Sequence, residues 1–156
     1  MASWRFLSGL WALALLGGCG GVKVPAILLA PEARVLAVRV VETGPEATRL
    51  SMRVAMVNPG KTALPLVDAR YQLTVDGRTY ATRTEPNVTV PAGGRVEFEL
   101  PAVVKGQVPS GSNWSAWGRL EMKPLRDFGQ LLLGLLLMRP STPMDGAGRL
   151  SGGGSG

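Results

Sequence analysis

The chain has no histidine and a single cysteine in 156 residues. The first absence excludes Ser-His-Asp and Cys-His catalysis and any histidine-containing metal site. The second excludes an internal disulfide, so the fold must stand on packing. No apolar run reaches the roughly 20 residues that a membrane-spanning helix needs. Acids are scarce as well, 11 Asp and Glu against 17 Lys and Arg. Glu42, Asp68, Asp76, Glu97 and Glu121 lie beside turns or at alternating positions, a pattern of solvated faces and not of paired catalytic carboxylates. The expectation is a protein that is not an enzyme and holds no metal.

The one cysteine, Cys19, closes the run Leu16-Gly17-Gly18-Cys19. Arg5 precedes it as a positive n-region, Phe6 to Leu16 form an apolar h-region, and two glycines offer the small side chains that a signal peptidase accepts. This arrangement resembles a bacterial lipobox. It implies a signal peptide over residues 1–18 and an acylated Cys19 as the first residue of the mature chain. The diacylglycerol and acyl chains on Cys19 would be its only non-protein group, with no other cofactor. Gly20 follows Cys19 where an Asp would retain a lipoprotein at the inner membrane, so the expected location is the periplasmic face of the outer membrane. An exported chain does not meet nucleic acid, and its basic balance suits a surface of anionic head groups. There each Lys or Arg contributes on the order of 1 kcal/mol.

Residues 19–32 read as a tether, flexible at Gly20-Gly21 and stiffened by Pro25 and Pro31. Beyond it the pattern has period two. Leu36, Val38 and Val40 fall on one face of the first segment. Leu50, Met52, Val54 and Met56 alternate with Arg49, Ser51 and Arg53 in the next. Ala69, Tyr71, Leu73 and Val75 alternate with Arg70, Gln72 and Thr74, and Asp76-Gly77 then gives a two-residue hairpin signal before Arg78–Thr84 returns. Val88 and Val90 mark a short strand, and Val96, Phe98 and Leu100 another. Residues 101–113 read as loop. Trp114–Met122 reads as a strand with Trp117 capping the core, and Gly146–Ser151 as a closing edge strand. Half-buried alternation of this kind indicates antiparallel strands, and their number and turn spacing indicate a mainly β immunoglobulin/fibronectin III-like β-sandwich. Its domain would cover residues 33–151, and the glycine-rich tail 152–156 is expected to be disordered.

One segment breaks the pattern. Pro124–Pro140 is apolar and bounded by prolines, which predicts one short helix near the C-terminus. Over 124–139 it would plug an open end of the sandwich. Alternatively it would dip into a membrane interface or line a groove for an acyl chain, with Phe128, Leu132, Leu135 and Leu136 as the lipid contact.

Val57-Asn58-Pro59-Gly60, Leu64-Pro65-Leu66, Ala69 to Gly77, and Thr89-Val90-Pro91-Ala92-Gly93-Gly94 follow one another in an ordered series. The series resembles the water-stress and hypersensitive-response (WHy) domain of the late embryogenesis abundant (LEA) type 2 family over about residues 33–122. Gly118-Arg119-Leu120 and Gly148-Arg149-Leu150 are similar to its last two strands. Gly60 stands where the family often has a second Asn, and the apolar insertion 124–139 is longer than a hairpin. The residues also have a plain reading. Asn58, Pro59 and Gly60 make a strand-ending turn, and Asp76 and Gly77 make a hairpin turn. The resemblance implies a non-catalytic domain that binds or shields other molecules in desiccation or envelope stress. Two other functions stay open, a lipid-binding or lipid-handling module and a structural subunit of an envelope complex with a protein partner.

Overall fold

The computed structural model describes residues 30–123 and 140–152. Among these residues there is no helix. Eight strands form, β1 (Glu32–Thr43), β2 (Ala47–Val57), β3 (Leu64–Val75), β4 (Arg78–Thr84), β5 (Thr89–Val90), β6 (Arg95–Lys105), β7 (Asn113–Met122) and β8 (Ser141–Arg149). The expectation of mainly antiparallel β structure is met. The ladders run as one continuous sheet in the order β4-β3-β7-β8-β1-β2-β6, with β5 on β3. The sheet curls until its edge strands β4 and β6 approach each other, giving a nearly closed barrel.

This differs from the two separate sheets of an immunoglobulin-like sandwich, and the difference lies at one seam. β8 and β1 run parallel and share only the register pairs Ala33–Met144 and Arg34–Asp145, extended by a bridge from Arg39 to Ser151. That seam joins a β4-β3-β7-β8 half to a β1-β2-β6 half. β8 is also longer than expected and lies inside the sheet, not at its edge. The helix expected over 124–139 lies outside the described residues.

Period-two patterning places the core. Leu50, Met52, Val54 and Met56 of β2, Leu73 of β3, Leu100 of β6 and Leu120 of β7 point inward and are buried. β1 departs from its simple reading. Bulges between Val35 and Ala37 and between Val40 and Glu42 reset its parity, so Val35 and Val38 are buried while Leu36 faces out. β6 continues through Pro101 to Lys105, with Ala102 and Val104 buried. An edge strand tolerates a proline because the missing amide donor can face away from the ladder.

β7 corrects a second expectation. Its inward positions are Trp114, Ala116, Gly118, Leu120 and Met122. Trp114 is therefore the core tryptophan, and Trp117 points out with 59% of its surface exposed.

Two tyrosines close the gap between the sheet edges. The Tyr71 hydroxyl crosses from β3 to donate to the carbonyl of Pro101 on β6. The Tyr80 hydroxyl of β4 donates to the Lys105 carbonyl at 3.4 Å. Burial pushes the Tyr71 phenol up to about 12. Its folded pKa is thus raised above an unfolded value of about 10, so its contribution is complete below pH ~10 and lost as pH rises through about 12. An absorbance titration of the phenolates should show a late step near pH 12 that Tyr71→Phe removes. A Tyr71→Phe titration that keeps the late step would overturn this assignment.

Candidate functional site

The strand registers sort the loops to two ends of the barrel. Glu32 pairs with Val57, Val57 with Arg95, Leu66 with Met122 and Glu121 with Ser141. The start of β1, the 58–63 loop, the 91–94 turn, Lys123 and Pro140 therefore share one end. Backbone bonds stitch that end together. Met122 N donates to Pro140 O at 2.9 Å, Lys123 N to Pro65 O at 2.8 Å, and Asn58 N to Gly94 O at 2.9 Å. The Thr142 hydroxyl donates to Pro31 O at 3.3 Å. Lys61 and Lys123 are exposed there.

Asn58 is the hub of this end. It is 2% exposed. Its Nδ2 donates to Thr62 O at 2.8 Å, Pro91 O at 3.0 Å and Val90 O at 3.4 Å. Its Oδ1 accepts from Gly60 N at 3.0 Å. Every polar atom of the side chain is engaged in fastening two loops. Pro59 and Gly60 shape the turn beside it.

Asp76 and Gly77 lie at the opposite end, so the structure does not bring the two turn motifs together. Both have positive φ, 47° and 78°, the pair of left-handed conformations that a type I′ hairpin requires. The Ser112 hydroxyl donates to Asp76 Oδ2 at 2.5 Å. Two shallow hollows open at this end. One, of about 150 Å³, lies between Asp76, Arg78, Tyr80, Gln107 and Pro109. The other, of about 290 Å³, is lined by Thr74, Asp76, Gly77, Asn113, Trp114 and Ser115.

The two halves of the outer surface handle charge differently. On the β1-β2-β6 half, Glu99 takes Arg39 at 2.9 and 3.0 Å and the Ser51 hydroxyl at 2.7 Å. The Ser51 bond, then Arg39, holds the Glu99 carboxyl below its ordinary value. Glu97 takes Arg95 at 2.6 Å and Glu42 takes Arg49 at 3.2 Å. These exposed pairs neutralise the face and contribute little stability.

The β3-β7 half is built on a buried acid. Asp68 sits at the β3 bulge with 2% of its side chain exposed and accepts Arg83 Nε at 2.8 Å and Arg70 Nε at 2.9 Å. Burial raises its pKa, but the hydrogen bonds and charges of Arg83 and Arg70 outweigh that and hold it below the ordinary carboxylate value. Glu121 is its register partner on β7, and Arg70 Nη2 lies 3.6 Å from Glu121 Oε1. Two acids do converge here, on an outer face and clamped by guanidinium groups. A carboxyl locked in its charged form is a poor proton donor near neutral pH. Among the described residues, no three Asp or Glu groups are placed to hold a metal ion.

Arg83, Arg70 and Arg119 stand in register across β4, β3 and β7. Trp117 occupies the next outward position of β7. Sequence reasoning missed this row and made Trp117 a cap on the core. The signal was available in Leu120 and Met122, whose parity sends Trp117 outward. Cys19, Phe128, Leu132, Leu135 and Leu136 lie outside the described residues.

No protein-family model and no curated protein sequence matches the chain. Solved structures do. The solution structure of a protein described as late embryogenesis abundant (LEA) has a TM-score of 0.54 at 14% identity and covers 81% of this chain and 74% of that one. The solution structure of an Arabidopsis thaliana protein has a TM-score of 0.57 at 15% identity, covering 79% of this chain and 82% of that one. The fold is LEA-like. At such identities the likeness concerns the backbone path alone. The LEA-like barrel here carries its own outer-face residues, and these must be read from this chain.

Proposed function

We propose that this chain is an exported bacterial lipoprotein, anchored through an acylated Cys19, whose LEA-like barrel acts without catalysis. Its work is to bind or shield other molecules at the membrane during envelope or desiccation stress. The observation that supports the reading is the common end of the barrel. The strand that follows the tether starts there, and Lys123 and Pro140, which flank the apolar segment 124–139, lie there too. A tether from Cys19 to Ala30 spans at most about 40 Å, which allows the end that carries Lys61 and Lys123 to turn to the bilayer. Two exposed lysines are favourable beside anionic head groups, and Phe128, Leu132, Leu135 and Leu136 are then within reach of the interface.

A barrel that carried an acyl chain inside would need an open interior. Here Leu50, Met52, Met56, Leu73, Leu100, Leu120 and Met144 fill it. Lipid contact is therefore assigned to the outside of the tether end.

The test is expression of the full chain in a diderm bacterium followed by fractionation and mass spectrometry of the mature N-terminus. The expected result is a chain that begins at acylated Cys19 and sediments with outer membranes, while Cys19→Ser releases it from them. A mature chain that retains residues 1–18, or membrane attachment that Cys19→Ser leaves unchanged, would overturn the reading. Changing Leu132, Leu135 and Leu136 together to Ser in the Cys19→Ser background reads the apolar segment separately, as lost residual flotation on anionic vesicles.

A further inference from the structure

We propose that the outer face of β3, β7 and β8 around Trp117 is a binding site for an acidic saccharide chain. It goes beyond the anchoring reading and is independent of it, because every residue involved lies on the barrel wall or at the end opposite the tether.

The first observation is the setting of Trp117. It is 59% exposed, and its register neighbours are Gln72 on β3 and Asp145 on β8. Along β7 its same-face neighbours are Ser115 and Arg119, each about 7 Å away. None of the four is apolar. A protein interface that uses a tryptophan as its anchor surrounds it with further apolar contact that excludes water. A membrane-inserting face likewise presents several apolar side chains together. Pro143 and Ala147, its diagonal neighbours on β8, are small, so the indole is the one large apolar group in a field of amide, hydroxyl, carboxylate and guanidinium groups, which suits a different ligand. A sugar ring has one face of C–H groups, which stacks on the negative π face of an indole, and a rim of hydroxyls that need hydrogen-bond partners.

The second observation is the hollow beside it. Thr74 and Ser115 are in register and face outward. With Asp76 and Asn113 they line the depression of about 290 Å³ one step along the sheet from Trp117. Carboxylate, amide and hydroxyl groups there can satisfy the hydroxyls of a second sugar unit. Asp145 offers another acceptor beside the indole.

The third observation is charge. On the other side of Trp117 stands the row Arg83, Arg70 and Arg119. Arg83 and Arg70 are tied to buried Asp68 through Nε; Arg70 also reaches Glu121 Oε1 at 3.6 Å through Nη2, whereas the Nη groups of Arg83 make no ion pair among the described residues. Arg119 has no ion-pair partner among the described residues. Fixed guanidinium forks pair with carboxylates in a planar, two-point manner. The face thus presents cation, aromatic platform and hydroxyl-binding hollow in that order along β7. The matching ligand bears a carboxylate on one sugar and free hydroxyls on the next.

The experiment uses the full chain purified in a mild detergent and titrated calorimetrically with tetragalacturonate, with neutral maltotetraose as the contrast. Binding of the acidic oligomer alone, weakening as salt rises, is expected. Trp117→Ala should weaken it about tenfold or more. Arg119→Gln should weaken it and flatten the salt dependence, with melting curves unchanged for both variants because each side chain faces solvent. Equal binding of maltotetraose, no binding of tetragalacturonate, or binding that Trp117→Ala leaves intact overturns the proposal. A hexaglutamate peptide that binds as tightly as tetragalacturonate overturns it in favour of an acidic protein segment. Quenching of Trp117 by bromolipid in vesicles rich in phosphatidylglycerol, measured against Trp117→Phe, overturns it in favour of a lipid contact.

Discussion

Asn58→Ala is expected to lower the stability of the barrel by about 3 kcal/mol, equivalent to a fall in melting temperature of roughly 10 °C. The side chain donates to three carbonyl oxygens and accepts one amide, and it is itself buried. Its removal takes that partner from the Thr62 and Pro91 carbonyls and the Gly60 amide, and each part-buried hydrogen bond lost costs about 1 kcal/mol. The effect should be local in origin. Amide exchange should accelerate first in the 58–62 loop and around β5, which Asn58 holds together.

Asn58→Asp separates hydrogen bonding from shape. The acid keeps the Oδ1 that accepts from Gly60 but turns a second oxygen toward the Thr62 and Pro91 carbonyls. Its charged form is disfavoured, so its folded pKa lies above the unfolded value. Relative to the native chain the penalty should be smaller at pH ~4 than at pH ~7, because protonation restores one donor. Denaturant titrations at the two pH values check this, and a penalty that grows toward acid would contradict it. The native acid Asp68 works with the opposite sign. Its pKa is depressed by Arg83 and Arg70, so its contribution is present at neutral pH and declines as pH falls through the folded value.

Most of the wall was legible because the side-chain period of a strand is fixed. Leu50, Met52, Val54 and Met56 occupy the face that their alternation assigns, as do Ala69, Tyr71, Leu73 and Val75. Asp76-Gly77 announced its hairpin because few dipeptides accept two left-handed residues in succession. The failures share a cause. A bulge changes parity without changing composition, so Leu36 looked internal and is external. A glycine on the inner face hides parity as well. Gly118 interrupts the apolar series of β7, so the alternation there does not show that Trp117, expected as a cap on the core, faces out. The joining of the two halves rests on a short parallel seam between β1 and β8, residues far apart in the chain, and no local pattern encodes that pairing. The arginine row has the same character. Arg70, Arg83 and Arg119 are ordinary alternating charges until the register brings them side by side.

Gly118 carries the other large expected effect. A Cβ at this position would stand 2.5 Å from the Arg70 carbonyl oxygen, 2.6 Å from Tyr71 Cβ and 2.8 Å from Tyr71 Cα. These are backbone or stiff atoms, so nothing nearby can swing aside, and the cause is close approach and not a special φ. Gly118→Ala must therefore push β3 from β7, at a cost of about 3 kcal/mol or more. The displacement also pulls on Tyr71, whose hydroxyl reaches across the barrel to Pro101. Two consequences distinguish this account from a general loss of packing. The late phenolate step near pH 12 should shift toward the ordinary tyrosine range as the ring loses its seat. Amide exchange should quicken in β3 and at the β4-β6 gap before it quickens in the β1-β2 hairpin. Gly146→Ala provides the comparison, since its Cβ would meet Val35 O at 2.5 Å and Val35 Cβ at 2.7 Å. That change strains the β1-β8 seam and should loosen the join between the halves while leaving the Tyr71 titration in place. A Gly118→Ala protein that melts with the native chain would mean that β3 and β7 have room the packing does not show, and the role assigned to Gly118 would fall.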